Sequence, residues 1–252
     1  MTRDDAPLLR VERLSKAFDG LQALDDVSFD VAAGEIVALI GPNGAGKTTC
    51  FNIINGQLAP DAGSVWLGDR RIDGWPAQRI AVAGVGRTFQ TAATFGSMTA
   101  RENVQLALLA GAGECFDLVH RLATVQRPAA DALLARAGAG SLADRVCATL
   151  PYADAKRVEL AVALARSPRL LLMDEPTAGT GPRDRTAVME LVATVVRDGG
   201  IAALFTEHDV DVVFHYATRV IVLDRGRIIA NGPPAAIRVD QRVRAVYLGT
   251  DA

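Results

Sequence analysis

Hydrophobic and polar positions divide the first part of the chain into strand-like segments. Leu8 to Leu14 and Val27 to Val31 alternate apolar and polar residues, which predicts two half-buried strands. A turn is expected between them, around Asp19 and Gly20. Ile36 to Ile40 is a continuous apolar run, a pattern typical of a strand that is covered on both faces.

The pattern becomes more helical after this buried strand. Thr48 to Asn55 is predicted as a helix that ends at Gly56, and shorter strands are expected near Ser64 to Leu67 and Gly84 to Gln90. From Glu102 to Ala165, alanine and leucine recur at helical spacing, which predicts several short helices in a subdomain of their own. Glycine and proline interrupt this stretch at Gly111, Gly113, Pro128, Gly138, Gly140 and Pro151.

The last third of the chain returns to alternating strands and helices. A helix is expected near Arg183 to Arg197, and Arg225-Gly226 is expected to form a hairpin turn. Because apolar runs flank that helix, the sequence predicts a mainly parallel, covered sheet. The predicted strands are Leu170 to Met173, Ile201 to Phe205, Val220 to Leu223 and Arg227 to Ala230.

Composition and charge exclude several classes of protein. The 252 residues contain 27 basic and 29 acidic side chains, a balance that argues against a dedicated nucleic-acid-binding protein. The apolar runs are far shorter than the roughly 18 residues that cross a bilayer, and Met1 to Pro7 lacks the apolar core of a secretory signal. We therefore expect a cytoplasmic location. Cys50, Cys115 and Cys147 show neither disulfide nor metal-ligand spacing, and are predicted to be buried or half-buried thiols.

One glycine-rich loop carries the strongest chemical signal. Residues 41–48 match G-x-x-x-x-G-K-[ST], with a predicted strand before the loop and a predicted helix after it. In such a P-loop, backbone amides surround phosphates, Lys47 reaches the β- and γ-phosphates, and the Thr48 hydroxyl binds Mg²⁺. The residues expected to bind nucleotide here are Gly41, Pro42, Asn43, Gly44, Ala45, Gly46, Lys47, Thr48 and Thr49.

Two adjacent carboxylates follow the predicted strand Leu170 to Met173. Period-two geometry is expected to send the side chains of Asp174 and Glu175 in different directions. Asp174 can then hold Mg²⁺, directly or through water, while Glu175 faces the attacking water as a general base. The alternative is a solvated acidic strand end.

Together these residues resemble the ATP-binding subunit of ABC transporters, from about Leu8 to Gly249. The resemblance implies an α/β fold: a P-loop NTPase (RecA-like) core, an N-terminal antiparallel β subdomain and an inserted α-helical subdomain. It assigns residues 1–90 and 166–252 to the core, residues 91–165 to the helical subdomain, and residues 240–252 to a C-terminal tail. The tail is either regulatory or a packing helix.

Three further residues stand where the family places functional side chains. Phe18, 23 residues before Gly41, corresponds to the aromatic residue that stacks on adenine. Gln90, at the end of Gly86-Arg-Thr-Phe-Gln90, corresponds to the glutamine that contacts Mg²⁺ and water and relays the nucleotide state to the membrane subunits. His208 corresponds to the switch histidine that contacts the γ-phosphate. Taken singly, Phe18 could be a core residue and His208 a structural one.

Four local motifs narrow the resemblance to branched-chain amino acid importers, and to the first, LivG-type, of their two ATPase subunits. Relatives of that group move other small amino acids, amides, urea or aromatic acids, so the cargo stays open. The motifs are Arg87-Thr-Phe-Gln90, Met98-Thr-Ala-Arg-Glu-Asn103, Glu207-His-Asp-Val-Asp-Val-Val213 and Val246-Tyr-Leu-Gly249.

The family signature Leu-Ser-Gly-Gly-Gln is altered here. In the family this loop completes the ATP site of the partner subunit. Pro151 has neither a hydroxyl nor an amide hydrogen, Ala153 adds a Cβ, and Asp154 brings negative charge. Gly181, in Ala178-Gly-Thr-Gly181, lacks the carboxylate that helps to join the two sites. The signature position is occupied by Leu150, Pro151, Tyr152, Ala153 and Asp154.

The resemblance also implies partners. The altered signature favours a heterodimer with a second ABC ATPase subunit, although a tolerant homodimer is the competing interpretation. Two transmembrane permease subunits would dock on Thr91 to Met98 together with the helical subdomain. A solute-binding protein would deliver the cargo, and the chain would lie on the cytoplasmic face of the inner (plasma) membrane. Three other functions remain as alternatives: a P-loop kinase, a soluble ABC ATPase of DNA repair or translation, and a nucleotide-sensing regulatory subunit.

Overall fold

Two sheets and a set of helices make up the parts of the chain that the computed structural model describes, residues 7–88, 93–112 and 126–248. The smaller sheet is antiparallel and has the strand order β2-β1-β4-β5. Its strands are β1 Leu9–Phe18, β2 Leu21–Val31, β4 Ala62–Leu67 and β5 Arg70–Arg71.

The larger sheet has the order β10-β9-β3-β8-β7-β6 and is parallel except for the β9–β10 hairpin at its edge. This arrangement confirms the mainly parallel sheet that the sequence predicts. Its strands are β3 Ile36–Ile40, β6 Val85–Thr88, β7 Leu170–Asp174, β8 Ala202–Thr206, β9 Arg219–Asp224 and β10 Arg227–Gly232.

The central strands are buried on both faces, as their continuous apolar sequences require. In β3, Ile36, Ala38 and Ile40 pack into one hydrophobic core, whereas Val37 and Leu39 pack into the other. One core contains the helices from residue 100 onwards, and the other contains the helices Lys47–Ile54 and Ala77–Val82 together with the antiparallel sheet. Since successive side chains of a strand point to opposite faces, the larger sheet separates two cores and is held rigidly between them.

The helices surround these sheets. Three of them, α3 (Ala100–Ala112), α4 (Arg127–Arg136) and α5 (Tyr152–Leu164), contact one another. In the described residues, no helix combines the length and the apolar character that crossing a bilayer requires. The helices are α1 Lys47–Ile54, α2 Ala77–Val82, α3 Ala100–Ala112, α4 Arg127–Arg136, α5 Tyr152–Leu164, α6 Pro182–Gly199, α7 Val210–Tyr216, α8 Pro234–Val239 and α9 Gln241–Leu248.

Local signals explain where several of these elements begin. Thr99 and Glu102 form a reciprocal capping box before α3: the Thr99 amide donates to Glu102 Oε2 at 2.8 Å, and the Glu102 amide donates to Thr99 Oγ1 at 3.2 Å. Asp209 caps α7 through the amides of Asp211 and Val212. Most predicted strands and helices agree with the structure to within a few residues, but β2 begins at Leu21 instead of the predicted Val27, and α2, α7 and α8 were not predicted. Gln90, Thr91, Cys115 and residues 249–252 lie outside them.

Candidate functional site

Three loops converge at one edge of the larger sheet. β3, β8 and β7 are parallel neighbours, so their carboxyl ends lie side by side. The P-loop follows β3, Asp174 ends β7, and Thr206 ends β8. In open α/β sheets, ligands bind outside the carboxyl ends of the strands. The topology thus places the predicted P-loop and the predicted acidic pair at one edge.

The P-loop has a backbone shape that depends on Gly46. This residue precedes α1 with a φ of 105°, in the left-handed region, and a Cβ there would collide with the Ala23 carbonyl oxygen. Among the described residues, no side chain caps this end of α1. The first amide groups of a helix have no partner within the helix, so they are available to an anion such as a phosphate.

Lys47 is folded back onto the P-loop. Its Nζ donates to the carbonyl oxygens of Gly41 at 2.7 Å and Pro42 at 3.1 Å, and the residue is only 8% exposed. Burial lowers the pKa of Lys47, and the nearby charges of Glu175 and Asp174 oppose that shift. The Lys47 side chain is therefore buried against the P-loop, within electrostatic reach of both carboxylates.

The two carboxylates are held by the end of β8. Thr206 Oγ1 donates to Asp174 Oδ1 at 2.7 Å, and the Glu175 amide donates to the Thr206 carbonyl oxygen at 3.1 Å. His208 Nε2 lies 2.8 Å from Glu175 Oε1. The structure thus brings Glu175 and His208 into direct contact.

The expectation that period-two alternation separates Asp174 from Glu175 is wrong. β7 ends at Asp174, and Glu175 has a φ of 49°, a left-handed conformation that is uncommon for residues other than glycine. A backbone turn, rather than strand alternation, separates the two side chains. Such a conformation costs about 1–3 kcal/mol and persists only where neighbours enforce it, here through the bonds to Thr206 and His208.

The predicted magnesium ligands fit the chemistry of that ion in part. The Thr48 hydroxyl and the Asp174 carboxylate are oxygen donors, which Mg²⁺ prefers, and Mg²⁺ is commonly bound by one or two carboxylates together with substrate phosphates. Gln90, the third predicted ligand, lies outside the described residues. Within them, no group of three or more histidine, cysteine or acidic side chains could hold a metal ion without a nucleotide.

Phe18 lies at the tip of the β1–β2 hairpin, where it pairs with Leu21, and it is 44% exposed. The next residues of β2, Ala23 and Leu24, contact the P-loop at Gly46. The hairpin therefore passes close to the P-loop at Ala23 and leaves the Phe18 ring exposed. Lys16 Nζ lies 5.6 Å from the ring centroid on one face.

The signature position forms the start of α5. Pro151 is the N-cap, with φ −53° and ψ 152°, and the helix begins at Tyr152. Asp154 lies in the first turn, where its Oδ1 is 3.6 Å from Arg157 Nη1. The negative charge expected at this loop is thus partly balanced by Arg157. Ala153 lies in the same first turn of α5.

The loop after Glu175 is hydrogen bonded to the residues that follow β8. The Thr177 amide and hydroxyl both donate to Glu207 Oε1, at 2.8 Å and 2.7 Å. Gly181 caps α6 and has no carboxylate of its own, but a Cβ there would lie 3.9 Å from Asp184 Oδ2. A carboxylate is therefore available near this position, one turn along the chain.

The sequence analysis assigned no role to Arg87, Thr206 or Glu207, although Arg87 and Glu207 lie in the motifs quoted there and Thr206 directly follows a predicted strand. Arg87 Nη2 donates to Asn52 Oδ1 at 3.0 Å and is 4.0 Å from Asp174 Oδ2. Burial lowers the pKa of Arg87, and Asp174 opposes that shift. Roles were predicted for the neighbouring residues Gln90 and His208 because these residues match family positions. Arg87 and Glu207 are buried or half-buried charges, and that burial is visible only in the folded chain.

Comparison with protein families gives two matches. Residues 24–178, more than half of the chain, match the ABC transporter family. Residues 227–252 match a second family, described as the branched-chain amino acid ATP-binding cassette transporter. The second match begins at the first residue of β10 and includes α8 and α9.

Named relatives match nearly the whole chain. The high-affinity branched-chain amino acid transport ATP-binding protein LivG of Escherichia coli K12 is 37% identical over 253 residues, covering 96% of this chain and 98% of LivG. BraF of Pseudomonas aeruginosa, which bears the same description, is 34% identical over 257 residues with the same coverage. The lipopolysaccharide export system ATP-binding protein LptB of Escherichia coli K12 is 34% identical over 244 residues, again with 96% and 98% coverage.

Solved structures match the fold. The ADP conformation of an ATP-binding cassette from an ABC transporter superposes with a TM-score of 0.85 at 30% identity, covering 96% of this chain and 99% of that one. A nucleotide-free ATP-binding cassette gives a TM-score of 0.84 at 30% identity, covering 96% and 98%. With the P-loop, the paired carboxylates and the histidine at one sheet edge, these matches show that the chain belongs to the ABC transporter family, as one of its ATP-hydrolysing cassettes.

Proposed function

We propose that this chain hydrolyses ATP to power the import of branched-chain or closely related amino acids. The observation that carries the ATPase part is the cluster at the sheet edge, in which Lys47, Asp174, Glu175 and His208 lie around the P-loop. Support for the cargo comes from the C-terminal match at residues 227–252 and from the names of LivG and BraF.

The proposed reaction is in-line attack of water on the γ-phosphate of ATP. Glu175 accepts the proton of the attacking water, and His208, 2.8 Å away, holds the carboxylate and positions the water and the leaving group. Lys47 leaves its carbonyl partners and neutralises the β- and γ-phosphates, while the amides at the start of α1 bind their oxygens. Phe18 stacks on adenine.

Thr48, Asp174 and Gln90 would hold Mg²⁺. The ion would supply charge neutralisation at the phosphates. In this proposal Thr206 orients Asp174 through the hydrogen bond to Oδ1, and Oδ2 would be the oxygen offered to the ion. Arg87 lies 4.0 Å from that second oxygen and limits the net negative charge of the site.

The proposed assembly contains a second ATPase subunit and two transmembrane permease subunits on the cytoplasmic face of the inner membrane, with a solute-binding protein outside. Residues 91–98 form the proposed docking segment, and the structure describes its residues 93–98. Phe95 in this segment is 60% exposed, as a residue that contacts another subunit would be.

The altered signature supports an asymmetric pair of ATP sites. Pro151 offers neither a hydroxyl nor an amide hydrogen to a γ-phosphate, so this chain would contribute an intact P-loop side and a poor signature side. A partner with an intact signature would complete the more active site. A homodimer, in which both signatures are altered, is the alternative.

Two alternative functions differ from the proposed one in what they require of the ATP site. A nucleotide-sensing regulatory subunit would bind ATP without turnover, and the 2.8 Å contact between His208 Nε2 and Glu175 Oε1 supports turnover instead. A different cargo, such as an amide, urea, an aromatic acid or the lipopolysaccharide of the LptB system, would use the same ATP site. The ATP site therefore supports turnover but does not select the solute.

Purification of the chain at native abundance from its own membranes tests this assembly. Mass spectrometry of the co-purifying proteins is expected to find two membrane proteins and a second ATPase with an intact Leu-Ser-Gly-Gly-Gln, and the complex is expected to hydrolyse ATP. Recovery of this ATPase as the sole ATPase would contradict the asymmetric pair. A complex that binds ATP without turnover would favour the regulatory alternative.

A further inference from the structure

The docking segment is hydrogen bonded to the residues that lead into the signature loop. The Ala148 amide donates to the Gly96 carbonyl oxygen at 3.0 Å, and the Cys147 amide donates to the Met98 carbonyl oxygen at 2.9 Å. Cys147 and Ala148 come shortly before Leu150, the first residue of the signature position. Backbone hydrogen bonds therefore connect the described part of the docking segment to the start of the signature loop.

Asn103 strengthens this connection from α3. Its Oδ1 accepts the Phe95 amide at 2.7 Å, and its Nδ2 lies 3.3 Å from Cys147 Sγ. The residue is buried, and its side-chain amide makes bonds both to the docking segment and to the residues before the signature loop. One end of the segment is thus fixed by α3 and by residues 147–148.

Ala93, the first described residue of the segment, is hydrogen bonded to a buried ion pair in the signature helix α5. Glu159 Oε1 accepts the Ala93 amide at 3.1 Å, and Glu159 Oε2 accepts a hydrogen bond from Lys156 Nζ at 3.1 Å. Glu159 is 2% exposed and Lys156 is 5% exposed. Lys156 reaches Glu159 because the two residues are about one helical turn apart. Each oxygen of the Glu159 carboxylate thus accepts a hydrogen bond from a different donor.

Burial of this ion pair is not explained by stability alone. Removing two charges from water is costly, and apolar residues of similar volume are often equally stable or more stable at such sites. The pair does, however, define the orientation of the Glu159 carboxylate, because Lys156 binds one oxygen and leaves the other facing Ala93. Lys156 Nζ also lies 5.6 Å from the centroid of the Tyr152 ring, and Tyr152 belongs to the signature position.

We infer that Glu159 is a positioning residue that fixes the docking segment to the signature helix, with Lys156 holding its carboxylate in place. Movement imposed on the docking segment by a permease subunit then reaches the signature position from both sides, through residues 147–148 and through α5. This inference rests on the proposed coupling to permease subunits, but not on the identity of the cargo.

Two double variants separate the hydrogen bond from the charges. The amide variant, Lys156→Met with Glu159→Gln, removes both charges and keeps an oxygen that accepts the Ala93 amide. The thioether variant, Lys156→Met with Glu159→Met, also removes both charges and has a similar volume, but it has no oxygen acceptor. Because neither variant leaves a lone buried charge, both are expected to fold. Their KM for ATP is expected to agree, and the thioether variant is expected to unfold at a slightly lower temperature because it lacks one hydrogen bond.

The readout is the ATP turnover of the complete transporter complex divided by the turnover of the two ATPase subunits without the membrane subunits. We expect the amide variant to keep the wild-type ratio. In the thioether variant, the amount by which the turnover ratio exceeds one is expected to fall about fivefold, the factor expected for one hydrogen bond. Equal ratios in the two variants, whether retained or lost, would overturn the inference. So would a wild-type ratio of one.

A charge-reversed variant covers the case in which the thioether variant does not fold. Lys156→Glu with Glu159→Lys keeps a buried ion pair, but lysine cannot accept the Ala93 amide. We expect this variant to fold and to show the reduced ratio, whereas a wild-type ratio would assign Glu159 to packing alone. Failure to transport leucine would count against the proposed cargo and would leave this ratio unchanged.

Discussion

At the scale of single residues, the two carboxylates after β7 have different partners and therefore different proposed roles. Asp174 is oriented by the Thr206 hydroxyl, whereas Glu175 lies in a left-handed backbone conformation and contacts His208. A carboxylate held beside a histidine, and 19% exposed, is suited to accept a proton from water. Asp174 is suited to hold a cation.

Glu175→Gln is expected to lower ATP turnover by about 10² or more, because a general base typically contributes about 10² to 10⁴. ATP binding is expected to persist, since glutamine has nearly the same shape and the P-loop is unchanged. Steady-state turnover and equilibrium ATP binding measure the two effects. Glu190→Gln, which removes an exposed carboxylate from α6, is the matched control. Unchanged turnover in the Glu175 variant would remove this residue from the role of base.

Arg87 gives a second prediction at this scale. Its guanidinium donates to Gln57 Oε1 at 2.8 Å and to Asn52 Oδ1 at 3.0 Å, next to Asp174. Arg87→Met removes these charge-assisted hydrogen bonds and is expected to lower the free energy of unfolding by about 2 kcal/mol or more.

Chemical unfolding of the purified chain measures that loss. Arg87→Lys keeps the charge but loses the planar fork, so an intermediate loss is expected. Equal stability of the wild-type and Met variants would show that the Arg87 contacts contribute nothing to folding.

At the scale of elements, the turn of the β9–β10 hairpin is hydrogen bonded to the P-loop. The Gly226 amide donates to the Ala45 carbonyl oxygen at 3.0 Å, and the Asp25 amide donates to the Gly226 carbonyl oxygen at 2.8 Å. The turn of the hairpin thus connects the P-loop to β2. The C-terminal segment that matches the branched-chain family begins in this hairpin, at Arg227.

Gly226→Ala is expected to destabilise the chain by more than about 1 kcal/mol and also to weaken ATP binding. The φ of Gly226 is 78°, and a Cβ on this residue would lie 2.9 Å from the Ala23 carbonyl oxygen. The turn must therefore shift away from the P-loop. Gly200→Ala is the control: its φ is 59°, but a Cβ there has no neighbour within 4 Å among the described residues, at the end of α6. Thermal unfolding and ATP titration are expected to show a stability loss in both variants and an affinity loss in Gly226→Ala alone.

Elements with strong local patterns were predictable from the sequence, whereas contacts between distant elements were not. β3 and β7 are apolar at nearly every position because both faces are covered, and the P-loop motif requires a strand before it and a helix after it. The bond between Ala93 and Glu159 joins residues 66 positions apart, and no local pattern encodes it. The conformation of Glu175 was also missed, because alternation describes a strand and this residue follows the strand's end.

At the scale of the whole molecule, the altered signature predicts unequal ATP sites. In a complex with a partner that has an intact signature, Pro151→Ser is expected to change turnover little, because the site that it completes contributes little. Replacing the partner's signature serine with alanine is expected to lower turnover by about 10², as loss of one charge-stabilising donor does. Turnover measurements on the two variant complexes make the comparison, and equal sensitivity would contradict the asymmetric pair.

ATP-driven uptake by vesicles that contain the purified complex tests the central claim most directly. With ATP and Mg²⁺ enclosed and the solute-binding protein outside, we predict that radiolabelled leucine accumulates inside wild-type vesicles. Accumulation is expected to fall to background when this chain carries Glu175→Gln. Hydrolysis of ATP without leucine accumulation, or accumulation that the Glu175 variant leaves unchanged, would contradict the account.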